Sequence, residues 1–122
     1  MNSPMKGRGG ALHALAALRY SVRGLTGAWR RETAFRQEVL IGVPLLAAAP
    51  WLAPDRVALV LLIGAVLLVW FAELINTSLE ALCDRISEEQ HPLLGLAKDA
   101  ASAAVMVSLI LCALTWIILL SP

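Results

Sequence analysis

The sequence is short of most things a soluble enzyme relies on. Its net charge is only +1, so no overall attraction to nucleic acid is expected. It has no G-x-x-x-x-G-K-[ST] loop and no dinucleotide fingerprint, which places any nucleotide chemistry outside the common nucleotide-binding folds. The GRGG at 7–10 is followed by no strand–helix pattern and carries no weight. Only two cysteines occur, Cys83 and Cys112, in or beside apolar runs and at no metal-ligand spacing. They read as structural, and no disulfide framework is expected. The apolar stretch 11–18 is short, runs into Arg19 and has no small-residue cleavage site, so no secretory signal peptide is expected. Internal repeats and low-complexity tracts are also missing.

What is present is apolar surface. The 122 residues are 59% hydrophobic with a mean hydropathy of +0.75, which points to a membrane protein of one domain, residues 1–122. Residues 100–120 carry no charge and are long enough to cross a hydrocarbon core of about 30 Å. Residues 57–72 are also uncharged and begin a second span that must continue into the sequence after them to reach full length. Residues 39–53 are shorter and contain Pro44 and Pro50; they span if they borrow turns from 34–38 or if the bilayer adapts. The expected spans are therefore about 34–53, 57–82 and 98–120. Nine lysines and arginines then fall on the side of the N-terminus and the 83–99 loop, against Arg56 alone on the other. The positive-inside rule puts that richer side in the cytoplasm. Ahead of the spans, Leu12, Leu15, Leu18, Val22, Leu25 and Trp29 recur at three- and four-residue steps, with Arg19, Arg23 and Arg30 off that line. Residues 11–32 are thus expected to form an amphipathic helix on the membrane surface. The expected fold class is all-α and membrane-embedded.

The informative stretch is FAELINTSLEALCDR at 71–85, where the second span acquires polar residues. On a helix, Glu73, Glu80 and Asp84 fall within about 20° of one line, with Asn76 about 60° to one side. Counting from Val57, Glu73 lies about 24 Å along the span, inside the core near its cytoplasmic edge, and Glu80 about 35 Å along, among the headgroups. A charge at mid-bilayer costs about 2.5–3.5 kcal/mol, so such a residue calls for a partner or a use. At that depth Glu73 suits a general base for a lipid hydroxyl. Glu80, nearer water, suits a hard cation such as Mg²⁺, and Glu32 just before the first span could complete its site. Lys98, beside the third span, could meet a phosphate. Plainer readings stand beside these. Asn76 could hydrogen-bond between helices, Lys98 could be an interfacial anchor, and Glu88, Glu89, Gln90, His91, Asp99 and His13 could be solvated surface groups.

Three segments carry a further signal: AFRQE at 34–38, ELINTSLEALCDR at 73–85 and KDAASAAV at 98–105. Together they resemble the prokaryotic diacylglycerol kinase family, from about residue 13 to 120, and Tyr20-Ser21 and Gly24–Trp29 fit as well. The resemblance implies a small inner-membrane enzyme that transfers the γ-phosphoryl group of MgATP to diacylglycerol, giving phosphatidic acid. It implies a homotrimer, each chain with a surface helix and three transmembrane helices, and active sites shared between chains at the cytoplasmic interface. By similarity Glu73 is the catalytic base, and Glu32 and Glu80 are the Mg²⁺ ligands. Asn76 and Asp84 become supporting polar residues. ATP contacts are implied for His13, Tyr20, Glu32, Glu80, Glu89, Gln90, His91, Lys98 and Asp99. Contacts to the lipid are implied for Ala34, Phe35, Arg36, Gln37, Glu38, Trp51, Glu73 and Ser102. At His13 the best-known members carry an arginine instead. Two alternatives stay open: the same chemistry on undecaprenol, and a non-enzymatic membrane subunit or proton relay built around Glu73.

Overall fold

The computed structural model describes residues 9–86 and 91–122, and every element in them is an α-helix. Helix α1 runs Gly10–Arg31, α2 Thr33–Leu52, α3 Arg56–Ile86 and α4 Pro92–Leu120. Helix α1 falls on the stretch expected to form an amphipathic helix, and α2 follows it after one residue. The expected 83–99 loop is not matched. Helix α3 continues to Ile86 and α4 begins at Pro92, so residues 83–86 and 92–98 are helical. The physical reason lies at the start of α4. Proline at the first helical position needs no backbone donor, and the His91 ring accepts a hydrogen bond from Leu93 N–H at 3.1 Å, capping the helix. At the other end of α3, Asp55 Oδ1 accepts from Ala58 N–H at 2.8 Å, which turns the APDR segment into a helix start.

Helices α3 and α4 are long and apolar enough to cross a membrane. At 1.5 Å per residue they reach about 46 and 44 Å, well past a hydrocarbon core of about 30 Å. Helix α2 is not among the helices that meet that measure, since it includes Arg36, Glu38, Pro44 and Pro50.

The helices meet along narrow stripes. On α3 the buried residues Ala58, Leu62, Ala65, Val66, Val69 and Glu73 recur at three- and four-residue steps, and α4 answers with Ala101, Val105 and Ser108. On α2 the buried positions are Phe35, Gly42 and Ala49, seven residues apart. Two tryptophans fasten these seams. Trp70 Nε1 donates to the Glu38 carbonyl of α2 at 3.0 Å, and Trp116 Nε1 donates from α4 to the Leu62 carbonyl at 3.1 Å. Both are therefore interhelical packing residues. Helix α1 buries only Ala28 in the chain. Its apolar line remains open, with Leu15 62% and Leu18 61% exposed. Large apolar side chains such as Val60 and Ile117 are equally uncovered on α3 and α4. A chain with this much bare hydrocarbon needs lipid or further protein around it.

Candidate active site

The site begins at the corner between α1 and α2. Glu32 is the single residue between the two helices, in extended backbone (φ −111°, ψ 113°). The corner is held by Arg36, one turn into α2. Its Nη1 donates to the Trp29 and Arg30 carbonyls at 2.6 and 3.2 Å, and its Nη2 to Thr33 Oγ1 at 3.0 Å. The last carbonyls of a helix lack intrahelical donors and carry partial negative charge, so a guanidinium is a strong cap for them. This fixes the direction in which Glu32 points, toward α3.

There Glu32 meets Glu80, close enough for the two carboxyl groups to share a hydrogen bond. Partial burial raises the Glu32 pKa first, and the charge and hydrogen bond of Glu80 raise it further. Arg31, 3.7 Å away, opposes both. Asn76, one turn before Glu80, donates from Nδ2 to Glu80 Oε1 at 3.2 Å. Its Oδ1 is buried without a hydrogen-bond partner. An unmet buried acceptor costs about 1–3 kcal/mol, so the amide is poised for a donor or cation that is not part of the chain.

Glu73 lies a further turn into the membrane and is 4% exposed. The carboxylates of Glu38, Glu32 and Glu80 all lie near enough to act on it electrostatically. Among the described residues no lysine or arginine pairs with any of these four, apart from the long Arg31–Glu32 approach. Four acidic groups thus converge from α2, α3 and the α1–α2 corner with little positive charge among them. That arrangement is costly unless a cation joins them or they share protons.

The water-facing end carries the opposite charge. Asp84 Oδ2 takes Arg31 Nη2 at 3.3 Å and Asp84 Oδ1 takes Lys98 Nζ at 2.5 Å, tying α1, α3 and α4 together. Asp84 is exposed, and the hydrogen bond from Lys98 holds its carboxyl below the usual value, with both cations adding to the effect. Lys98 and Arg31 stand beside the acidic cluster without neutralising its interior.

The residues singled out in the sequence divide as follows. Glu32, Glu38, Glu73, Asn76 and Glu80 come together, with Asp84 and Lys98 at their edge. Phe35 is buried in the seam between helices, so it supports the site from within the chain. Arg36 caps α1. Ala34, Gln37, Asp99 and Ser102 are exposed, and Trp51, at the far end of α2, is 85% exposed. His91 uses one ring nitrogen as a helix cap, which leaves Nε2 for any ligand. Tyr20 and His13 do not join the cluster. They lie about 18 and 28 Å back along α1 from Glu32 by helical rise, and Tyr20 is exposed beneath the Arg23 guanidinium, 5.9 Å from the ring centre. Glu89 and Gln90 lie outside the described residues. Sequence reasoning missed Arg31 as the partner of Asp84 and Arg36 as the corner cap. The latter had a signal, an arginine one turn after a helix break.

The metal expectation can be weighed on the donors alone. Among the described residues no group of three or more His, Cys, Asp or Glu side chains forms a metal cage. Two neighbouring carboxylates and an unmet amide oxygen suit an ion that takes oxygen ligands and completes its shell with water and phosphate, as Mg²⁺ does.

Comparison with known proteins bears on what this cluster belongs to. A family model described as prokaryotic diacylglycerol kinase matches residues 19–120. The chain belongs to the prokaryotic diacylglycerol kinase family. Among relatives, the diacylglycerol kinase of Escherichia coli K12 is 44% identical over 111 residues, covering 91% of each chain. That of Pseudomonas aeruginosa is 44% identical over 114 residues, covering 93% of each. That of Haemophilus influenzae is 37% identical over 107 residues, covering 88% of this chain and 91% of its own. The matched region of the family model takes in all four carboxylates of the cluster, Tyr20 and Lys98, and begins after His13.

Proposed function

We propose that the chain phosphorylates diacylglycerol with MgATP at the cytoplasmic face of the bacterial inner membrane, giving phosphatidic acid and ADP. The observation that carries this reading is the convergence of Glu73, Glu32 and Glu80 at graded depth in a chain of this family. The deep carboxylate is placed for a lipid hydroxyl and the shallow pair for a water-borne ligand.

In this mechanism Glu32 and Glu80 would hold Mg²⁺, which would supply neutralisation of phosphate charge. Asn76 keeps Glu80 oriented through its Nδ2 bond. Glu73, sheltered from water, hydrogen-bonds the free hydroxyl of diacylglycerol and takes its proton as the oxygen attacks the γ-phosphorus. The new bond is oxygen to phosphorus, the bond broken joins the γ-phosphorus to its bridging oxygen, and ADP leaves with that electron pair. Lys98 exchanges Asp84 for a phosphate oxygen, helped by the water-facing position of that pair. His91 and Asp99 line the nucleotide side. Ala34, Gln37, Glu38, Trp51 and Ser102 line the lipid side.

Helix α2 acts as a third span, with Arg36 at the cytoplasmic headgroups and Glu38 just inside them, and α1 lies on that surface. A homotrimer supplies the cover that the exposed faces of α1, α3 and α4 need. It also supplies the Tyr20 and His13 that a single chain leaves far from the carboxylates.

The test is phosphate transfer from labelled MgATP in mixed micelles, with diacylglycerol and undecaprenol offered in parallel and Glu73→Gln as the comparison. Transfer to diacylglycerol that is lost in the variant is expected. Transfer chiefly to undecaprenol would change the acceptor, and no transfer to either lipid would remove the kinase reading.

A further inference from the structure

The contact between Trp70 and α2 has two parts that coincide at one place. The indole Nε1 donates to the Glu38 carbonyl at 3.0 Å. The ring itself occupies the position beside Gly42 where a side chain would begin: a Cβ there would lie 2.7–2.9 Å from three indole atoms. Glu38 and Gly42 are four residues apart and so share one face of α2. The glycine provides the space and the carbonyl provides the acceptor, and only a side chain with an N–H at that reach uses both. Gly42 is buried, and the bond lies within the apolar span, where a hydrogen bond has no water to compete with it.

The position of this contact matters for the carboxylates. Trp70 stands three residues before Glu73, on the adjoining face of α3. The Glu38 carboxylate lies near enough to Glu73 to act on it electrostatically. The Trp70 bond therefore joins the carbonyl of Glu38 itself to the helix carrying Glu73, about one turn before that side chain. Without it, rotation or sliding of α2 would change the separation of the two carboxylates. The same contact borders a recess of about 260 Å³ that also includes Leu45, Val66 and Cys112, so its geometry sets the shape of an apolar space next to Glu38.

We propose that, within the lipid-kinase reading above, Trp70 is a positioning residue, seated in the notch at Gly42, that sets Glu38 against Glu73 and thereby tunes the lipid side of the site. It touches neither substrate. Its effect belongs to lipid use, because the recess and Glu38 lie at bilayer depth, while the groups expected to meet nucleotide lie at the opposite, water-facing end.

The experiment uses the full chain in mixed micelles and compares wild type, Trp70→Phe, Gly42→Ala and the double variant Gly42→Ala with Trp70→Leu. Each is measured for the KM of diacylglycerol, the KM of MgATP and thermal stability. Trp70→Phe keeps an aromatic ring and loses the N–H; it is expected to raise the diacylglycerol KM several-fold with the MgATP KM unchanged. Gly42→Ala is expected to lower stability and do the same, because the ring is displaced. The double variant relieves the clash, so its stability should return toward wild type while the lipid KM stays high. A lipid KM that recovers together with stability, or one that Trp70→Phe never moves, would reduce the contact to packing and overturn the proposal. A readout without turnover accompanies these: alkylation of Cys112 by N-ethylmaleimide, mapped by mass spectrometry to separate it from Cys83. The rate should rise in Trp70→Phe as the recess opens. If the wild type transfers no phosphate to diacylglycerol, the lipid-kinase reading fails by itself. In that case an unchanged Cys112 rate removes the lock as well, and a raised rate retains it as the element that fixes Glu38.

Discussion

At the scale of single residues, the pairing of Glu32 with Glu80 makes the clearest demand. A carboxyl group whose pKa is raised in the folded chain favours its protonated form there. Deprotonating Glu32 above that raised value costs folding stability, and the cost disappears as pH falls below the ordinary 4.5. Mg²⁺ binding needs the deprotonated form, so apparent Mg²⁺ affinity should fall on acidification at a pH above 4.5, through the raised value of Glu32. In Glu80→Gln the neighbouring charge is gone, and the pH at which affinity falls should move back toward the ordinary value. The same variant loses a charged ligand contact of about 1.5–3 kcal/mol, which is tenfold or more in Mg²⁺ half-saturation. Mg²⁺ titrations of turnover at several pH values check both effects; a half-saturation that ignores Glu80→Gln would contradict the metal role. Asp84 obeys the opposite sign. Its lowered pKa means that its ties to Lys98 and Arg31 hold fully above the ordinary 3.8 and weaken only as pH falls through a value below it. Asp84→Asn should therefore lower thermal stability at neutral pH and low salt, with the difference shrinking as salt rises, since the pairs are exposed.

Among elements, the α1–α2 corner is the one on which the cluster depends. Arg36 makes three hydrogen bonds there, two of them to carbonyls at the negative end of α1. Arg36→Met keeps the aliphatic stem and removes the donors, and should cost about 1–3 kcal/mol. Because Glu32 is the corner residue, the Mg²⁺ half-saturation should rise in parallel with the loss of stability, and Arg36→Lys should recover part of both. Thermal melts and Mg²⁺ titrations on the three proteins would show whether the two quantities move together. The corner also shows what the sequence could and could not disclose. The helices were legible because charge-free runs and three- and four-residue spacings are properties of one segment at a time. Glu73, Asn76 and Glu80 were legible for the same reason, since depth and angle follow from counting along one helix. Partners across helices were not. Arg31 and Asp84 are separated by 53 residues and Trp70 and Glu38 by 32, and which atoms meet depends on the rotation of each helix about its axis. The long extensions of α3 and α4 into the expected 83–99 loop were missed because polar composition was read as loop, although Pro92 was a helix-start signal.

For the whole molecule, the question is which chain completes which site. In one chain Glu32, Glu73 and Glu80 are together, whereas Tyr20 and His13 are carried away along α1, about 18 and 28 Å from the corner. The apolar line of α1 is bare, and the faces of α3 and α4 that would receive a neighbour are bare too. If a neighbouring chain supplies the N-terminal half of α1, two inactive variants should complement each other when co-assembled. Glu73→Gln retains Tyr20 and His13, and a Tyr20→Ala, His13→Ala chain retains all the carboxylates. Unfolded together at equal amounts and reassembled, they should form sites with both halves intact at roughly a quarter of positions, and turnover should return in proportion. Glu73→Gln mixed with Glu80→Gln is the control, because both lesions fall in the cluster that one chain builds, and turnover there should stay at the level of the parents. Recovery in the first mixture alone would assign the carboxylates to one chain and the α1 residues to its neighbour. Recovery in neither would mean that α1 serves the carboxylates of its own chain, and recovery in both would divide the cluster itself between chains.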